Sequence, residues 1–304
     1  MDLLVPKLPP LRRWTVGRYY RRLFERYEAD ILRAKALFAD DRSVRVLDAL
    51  LAAYSTKRNN SARLFAQAAD LSEDGPGSRD LPNRSNLPGG SFEIQEAENL
   101  YFLPELFSFS EPVVLLDGGA FIGDSLQLAY QMLGKKLLCA YAFEPNPKSF
   151  DALRKTAEAL PFPVHLSPCA IGSAAEETRF SESGSSTRRD SRGDMVARTI
   201  EIGGFLEHLE QTPDAPLPNF IKLDIEGCEP EAIASMSSYL RRNRPDLAIS
   251  VYHHVEDLWQ IPLLLRAICP DYRLYLRHHS NYFTETVLYA KIEPAPASRK
   301  GNIS

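Results

Sequence analysis

Asp117-Gly118-Gly119-Ala120-Phe121-Ile122-Gly123-Asp124-Ser125 follows directly on the apolar run Val113-Val114-Leu115-Leu116. It leads into Leu126, Ala129, Tyr130 and Leu133, which recur at helical spacing. The run is too short for a helix and reads as a buried strand, so the segment is a strand, a glycine-rich turn and a helix start. Glycines at such a turn let the backbone bend tightly and approach a ligand closely. The helix start contributes amide donors and positive potential. Gly134 ends the helix at a position that favours a left-handed residue.

Outward from this segment the alternation continues. Leu137 to Phe143 reads as a second strand, and Asn146-Pro147 as a helix cap before the stripe Phe150, Leu153, Ala157 and Leu160. Val164-His165-Leu166 and Phe220-Ile221-Lys222-Leu223 read as strands three and four, with a helix from Pro230, and Leu247 to Tyr252 as a fifth strand. Tyr272–Leu276 and Thr286–Ala290 read as a closing hairpin. Strands alternating with helices predict a parallel sheet covered on both faces, with one antiparallel member at the end. Between strands three and four, Gly172 to Asn219 reads as a long polar loop around Ser181 to Ser186, with 178–180 and 198–202 as short flanking edge strands.

Upstream, Tyr20, Leu23, Phe24, Tyr27, Ile31 and Phe38, then Leu47, Leu50, Leu51 and Tyr54, then Leu64, Phe65, Ala68 and Leu71 predict helices over residues 17–71. Ser72 to Gly90 reads as a linker. The expected organisation is therefore a helical region with its linker (1–91), a sheet domain (92–292) and a flexible tail (293–304).

The 304 residues, 44% hydrophobic and 25% charged, suit a soluble chain with a substantial core. No apolar run reaches the length of a membrane span, and the first residues lack the apolar stretch of a secretory signal. Four single cysteines at 139, 169, 228 and 269 suggest reduced thiols in a cytoplasm. Residues 1–60 carry thirteen Lys and Arg against seven Asp and Glu, while the remainder carries 23 against 33. The basic part reads as a solvated helix face packed on an acidic neighbour. The acidic sheet domain argues against a nucleic-acid partner.

Three strand ends carry chemistry, and strand C-termini are where open α/β sheets place ligands. Asp117 precedes the glycines, so a pyrophosphate would be repelled while an ammonium or sulfonium would be attracted. S-adenosylmethionine (SAM) carries both cations and no phosphate. Glu144, in Phe143-Glu144-Pro145, lies 27 residues later, near the spacing at which an acid meets ribose hydroxyls. Lys222-Leu223-Asp224-Ile225-Glu226-Gly227-Cys228-Glu229 gathers three acids around one glycine; Glu229 reads as a helix-start carboxylate. Tyr252-His253-His254 ends the fifth strand, and His253 is the candidate proton acceptor, with Asp224 as the alternative base. His253, Asp224 and Glu226 converge on one sheet edge and could also make an O/N metal site, but no HxxxH pattern or carboxylate-spacing motif supports it, so no metal is assigned.

These segments, in this order, resemble the FkbM-type family of SAM-dependent methyltransferases over roughly residues 99–290. The resemblance rests on Tyr101-Phe102, Asp117-Gly118-Gly119-Ala120 with Gly123-Asp124-Ser125, and Phe143-Glu144-Pro145. It also rests on Ala170-Ile171-Gly172, the block from Lys222 to Glu229, and Tyr252-His253 with Asp257-Leu258-Trp259. The chain departs from the family at Ile202-Gly203-Gly204-Phe205, where the family carries an acid. The resemblance implies a class I methyltransferase sheet of seven strands, mostly parallel with a reversed last strand, beside an N-terminal helical cap. It implies SAM held by Asp117, Gly118, Gly119, Ala120, Gly123, Asp124, Ser125, Glu144 and Pro145. Asp224, His253 and Glu226 would act on a hydroxyl of a sugar, glycan or secondary metabolite. The N-terminal helices, the linker and the 172–219 segment are expected to shape the acceptor pocket, with those helices also available for a homodimer. The rival expectation is a methyltransferase-like binding or regulatory module without turnover.

Overall fold

The computed structural model describes residues 16–56, 58–72, 100–183 and 186–293. The expected linker and tail lie outside these residues, apart from Ser72 and Glu293. No helix among the described residues is long and apolar enough to cross a membrane.

Four helices come first: α1 (Val16–Arg26), α2 (Glu28–Lys35), α3 (Asp41–Ser55) and α4 (Arg58–Ser72). The sheet region opens with β1 (Val113–Gly118), α5 (Asp124–Leu133), β2 (Leu137–Phe143), α6 (Pro147–Ala159) and β3 (Val164–Ser167). Next come β4 (Cys169–Gly172), β5 (Glu176–Ser183), β6 (Ser186–Arg189), β7 (Met195–Glu201) and α7 (Ile202–Gln211). The chain continues through β8 (Phe220–Leu223), α8 (Glu229–Ser235), α9 (Ser237–Asn243) and β9 (Asp246–Ser250). It closes with α10 (Asp257–Ile268), β10 (Arg273–His278) and β11 (Thr286–Lys291).

The main sheet has seven strands in the order β10-β11-β9-β8-β1-β2-β3. The neighbours β1, β2, β3, β8 and β9 run parallel, and β11 lies antiparallel to both β9 and β10. This is the expected mostly parallel sheet with its last strand reversed. Alternation along the strands builds two cores. Leu116, Ile221, Leu223, Leu247 and Ile249 face α7 to α10 and the N-terminal helices. Leu115, Ala140, Ala142, Phe220 and Ala248 face α5 and the aromatic segment with Phe102 and Phe107.

The segment between strands three and four is not a loop. Strands β4 to β7 form a second sheet in the order β4-β7-β5-β6. Ala170, Phe180 and Ala197 make its small core. The two short strands expected at 178–180 and 198–202 are present as β5 and β7, but they are the inner pair and not edges. The outer strands were missed, because β4 follows β3 after a single residue and takes its pairing from β7, some thirty residues away. At the family departure, Glu201 caps α7 by accepting a hydrogen bond from the Gly204 amide at 2.8 Å. An acid thus stands one residue before Ile202.

The N-terminal helices pack against α10 and β10. The rings of Phe24 and Tyr27 meet Trp259 at centroid distances of 6.0 and 5.6 Å. The Ala39 amide donates to the Leu274 carbonyl at 2.8 Å. Asp40 caps α3 and also pairs with the buried Arg277 at 2.8 Å.

Candidate active site

The C-terminal ends of β1, β2 and β8 open on a cleft of about 230 Å³. From the sequence-derived set, Gly119, Asp124, Ser125, Glu144 and Pro145 line one side of it. Asp224 and Glu226 line the other, with Tyr101, Tyr252 and Glu285. Asp117, Gly118, Ala120, Gly123 and His253 stand behind the walls.

The glycine loop is held against the strand-four turn. The Gly119 and Ala120 amides both donate to the Phe143 carbonyl at 3.0 Å. The Asp224 amide donates to the Gly118 carbonyl at 3.0 Å. Gly119 has φ +75°, and a Cβ there would overlap the Asp224 carbonyl oxygen. The position therefore requires glycine on both counts.

Asp117 does not offer a free carboxylate to a ligand. It is fully buried, Lys222 Nζ lies 3.0 Å from its Oδ1, and the Ser125 hydroxyl donates to its Oδ2. Parallel register places Lys222 beside Asp117, and the ammonium also donates to the Gly118 and Gly119 carbonyls at 3.2 and 2.7 Å. The Tyr101 ring lies 5.2 Å from the same ammonium. Burial works against the charge on Lys222, but Asp117 and Asp224 outweigh it and raise its pKa. Asp117 therefore fixes the loop through Lys222 and Ser125. The expectation that it faces a ligand cation is corrected by this internal pairing.

Glu144 sits as expected at the end of β2. Its Oε2 accepts from the Phe121 amide at 3.0 Å and its Oε1 from the Asn146 amide at 2.8 Å. Burial pushes its pKa up to about 7 against the pull of those amides and of Lys222. Each oxygen keeps a lone pair for a further donor.

Across the cleft, Asp224 accepts from the Tyr101 hydroxyl at 2.9 Å and from Tyr252 at 3.1 and 3.3 Å. Burial would raise its pKa, but His253, Lys222 and the two hydroxyls bring it below the usual carboxylate range. Glu226 and Gly227 both take left-handed backbone, with φ of 58° and 94°, which turns the chain back into α8. Glu229, the first residue of that helix, accepts from the Ile225 amide at 2.8 Å and is fully buried.

His253 is 7% exposed, and its ring is surrounded by acids. Its Nε2 lies 3.4 Å from Asp224 and 3.5 Å from Glu226, and its Nδ1 lies 3.1 Å from Glu229. Burial opposes a charged ring, but Glu229, Asp224 and Glu226 outweigh it and raise the pKa to about 9. The preference for His253 as base is corrected: its ring does not reach the cleft, and both nitrogens are turned to carboxylates. Asp224, Glu229 and His253 each place one ligand atom within 4.8 Å of the others.

Phe180 and Thr187 of the inserted sheet line the cleft, but none of the described residues of α1 to α4 does. Those helices cover the β10 side of the sheet instead. The roles of Tyr101 and Tyr252 as donors to Asp224 were missed. The two flank Asp224 at separations of 123 and 28 residues, so no local pattern announces the trio.

A family model described as the methyltransferase FkbM domain matches residues 117–283. The chain is 26% identical over 160 residues to a hexuronic acid methyltransferase, AglP, of Haloferax volcanii, a match covering 49% of this chain and 65% of that protein. The crystal structure of a methyltransferase FkbM from Methylobacillus flagellatus KT superposes with a TM-score of 0.67 at 24% identity. That superposition covers 88% of this chain and 60% of the other. The chain thus spans less than two thirds of the length of either relative.

Proposed function

This chain belongs to the FkbM methyltransferase family, and on that premise we propose that it transfers a methyl group from SAM to a hydroxyl of a sugar or glycan acceptor. The observation that carries the reading is one cleft with two differently equipped carboxylates. Glu144 stands by the glycine loop with lone pairs free for a vicinal diol, and Asp224 stands opposite, oriented by two tyrosine hydroxyls. Gly119 admits no Cβ because the Asp224 carbonyl stands there, which ties the glycine loop to the strand end that carries Asp224. Gly119, Phe121, Asp124 and Ser125 would hold the methionine portion, and Glu144 the ribose. Asp117 contributes through Lys222 and Ser125, by fixing the loop.

SAM supplies a methyl group on a sulfonium; the acceptor oxygen forms the new O–C bond while the S–C bond breaks and its electron pair stays on sulfur. The chain must align the acceptor oxygen with that methyl and receive the hydroxyl proton. Asp224 reaches the cleft and is held in one orientation, so it takes the acceptor's hydrogen bond and then its proton. Alignment alone supplies several kcal/mol of barrier reduction, and a positioned base adds about 10²–10⁴-fold. The hexuronic acid methyltransferase among the relatives supports the sugar class.

Asp224→Asn keeps the shape and one oxygen to accept from the tyrosine hydroxyls, but removes the proton acceptor. Turnover, followed as S-adenosylhomocysteine released on a panel of uronic-acid and neutral glycosides, should fall by about 10²-fold or more. SAM affinity measured by calorimetry should change far less. Undiminished turnover in Asp224→Asn on an accepted glycoside overturns the assignment.

A further inference from the structure

We infer that Asp224, Glu229 and His253 form a divalent-cation site at the acceptor end of the cleft, an inference that rests on the reading of that cleft as a methyl-transfer site. Three observations meet here. A carboxylate oxygen from each acid and a ring nitrogen of His253 lie within 4.8 Å of one another. A cation with bonds of about 2.1–2.3 Å sets its opposing ligands roughly 4.2–4.6 Å apart, so small adjustments close the set around an ion.

The second observation is independent of the clustering. Glu229 Oε2 is fully buried and receives no hydrogen bond. A buried carboxylate oxygen without a donor is costly, and orphaned groups of this kind call for an ion, a proton or a water. Of the neighbouring cations, the His253 ring pairs with Glu229 through Oε1 at 3.1 Å and leaves Oε2 without a donor. Lys222 is spent on Asp117 and two carbonyls of the glycine loop, and Arg188 lies against His254 at 3.2 Å.

The third observation is direction. Asp224 lines the cleft, as does Glu226, whose Oε2 lies 3.5 Å from His253 Nε2 and can complete the set. The open coordination positions therefore face the acceptor and not the core. Carboxylates with one imidazole suit manganese or magnesium better than a thiolate-seeking metal. An acceptor offering two adjacent oxygens, such as a vicinal diol or a hydroxy acid, would chelate the cation and so present one oxygen in a fixed place. Strand and turn deliver the donors: β9 ends at Ser250, three residues before His253, and the left-handed pair Glu226-Gly227 brings Glu229 back beneath it.

The test uses the full chain, stripped with EDTA and titrated with Mn²⁺ alone, following loss of the free-ion resonance. One equivalent should bind. His253→Ala should weaken that binding at least tenfold, and Glu226→Gln, at a half-exposed position where folding is not at stake, should weaken it severalfold. SAM affinity is measured on the same samples, with and without Mn²⁺, and turnover is measured in EDTA and after Mn²⁺ is restored. The inference expects turnover to fall at least tenfold in EDTA and to return with Mn²⁺. Absence of stoichiometric binding in the wild type overturns the inference, as does unchanged affinity in both variants or full turnover in EDTA. If SAM itself fails to bind while Mn²⁺ binds at this site, the methyl-transfer reading fails and the cation site stands. If SAM binds and Mn²⁺ does not, the cation site alone falls.

Discussion

Glu144 concentrates the physics of the SAM side of the cleft. Its carboxylate is buried, is held by two backbone amides, and faces Lys222 and Asp117. Burial lifts its pKa to about 7, above the roughly 4.3 of an exposed glutamate. In the ligand-free protein, stability from this group is fully present below the unfolded pKa and is lost as pH rises through about 7. Ligand binding has the opposite sign. Ribose hydroxyls donate to the carboxylate, so binding selects the ionised form, and SAM affinity should fall by up to about tenfold per unit as pH drops below 7. Calorimetry from about pH 5.5 to 8.5 measures this slope. Glu144→Gln should bind more weakly and lose the slope, and Glu144→Ala should cost about 1.5–3 kcal/mol. A wild-type affinity that stays flat across that range excludes an ionised Glu144 as the ribose partner.

Among the elements, the inserted sheet β4-β7-β5-β6 is the one whose stability and function meet in a single side chain. Phe180 is buried with Ala170 and Ala197 in a core of few residues, yet it also lines the cleft. Phe180→Ala should cost about 3 kcal/mol locally. Because this core is separate from the two cores of the main sheet, the cost should appear as faster hydrogen exchange in β5 and β7, with β1, β2 and β8 still protected. Uniform loss of protection across both sheets would show that they unfold as one unit. The same contrast explains what the sequence made legible. Strands β1, β2, β8 and β9 are short apolar runs buried on both faces, and the glycine loop and the Asn146-Pro147 cap punctuate them, so local chemistry announces each element. Strand β6 reads Ser-Thr-Arg-Arg and β5 is mostly polar, so their strand character comes from pairing and not from composition. In the site, Glu144, Asp224 and Glu226 were legible because strand ends are ligand positions in such sheets. The Asp117–Lys222 pair was not, since it depends on parallel register between strands more than a hundred residues apart.

At the scale of the whole molecule, the N-terminal helices act on the sheet from the side away from the chemistry. Their apolar faces cover Trp259 and the β10 edge, and Asp40 and Glu105 converge on the buried Arg277 at 2.8 and 3.0 Å. None of their described residues lines the cleft, and the contacts they make in this structure are packing and capping ones. Trp259 belongs to α10, which begins four residues after His253, and that connection makes the cover relevant to the site without joining it. Tyr27→Ala removes a ring packed on Trp259 and should lower stability by about 2–4 kcal/mol, less than a fully buried aromatic because Tyr27 is half-exposed. Once the protein is folded, the acceptor KM and the SAM affinity should stay within about twofold of the wild type, since surviving contacts at the cleft are unchanged. Thermal unfolding and steady-state kinetics on the same preparation separate the two effects. A selective rise in acceptor KM with unchanged melting temperature would return the helices to the role of an acceptor cap, and would require them to move toward the cleft when substrate arrives.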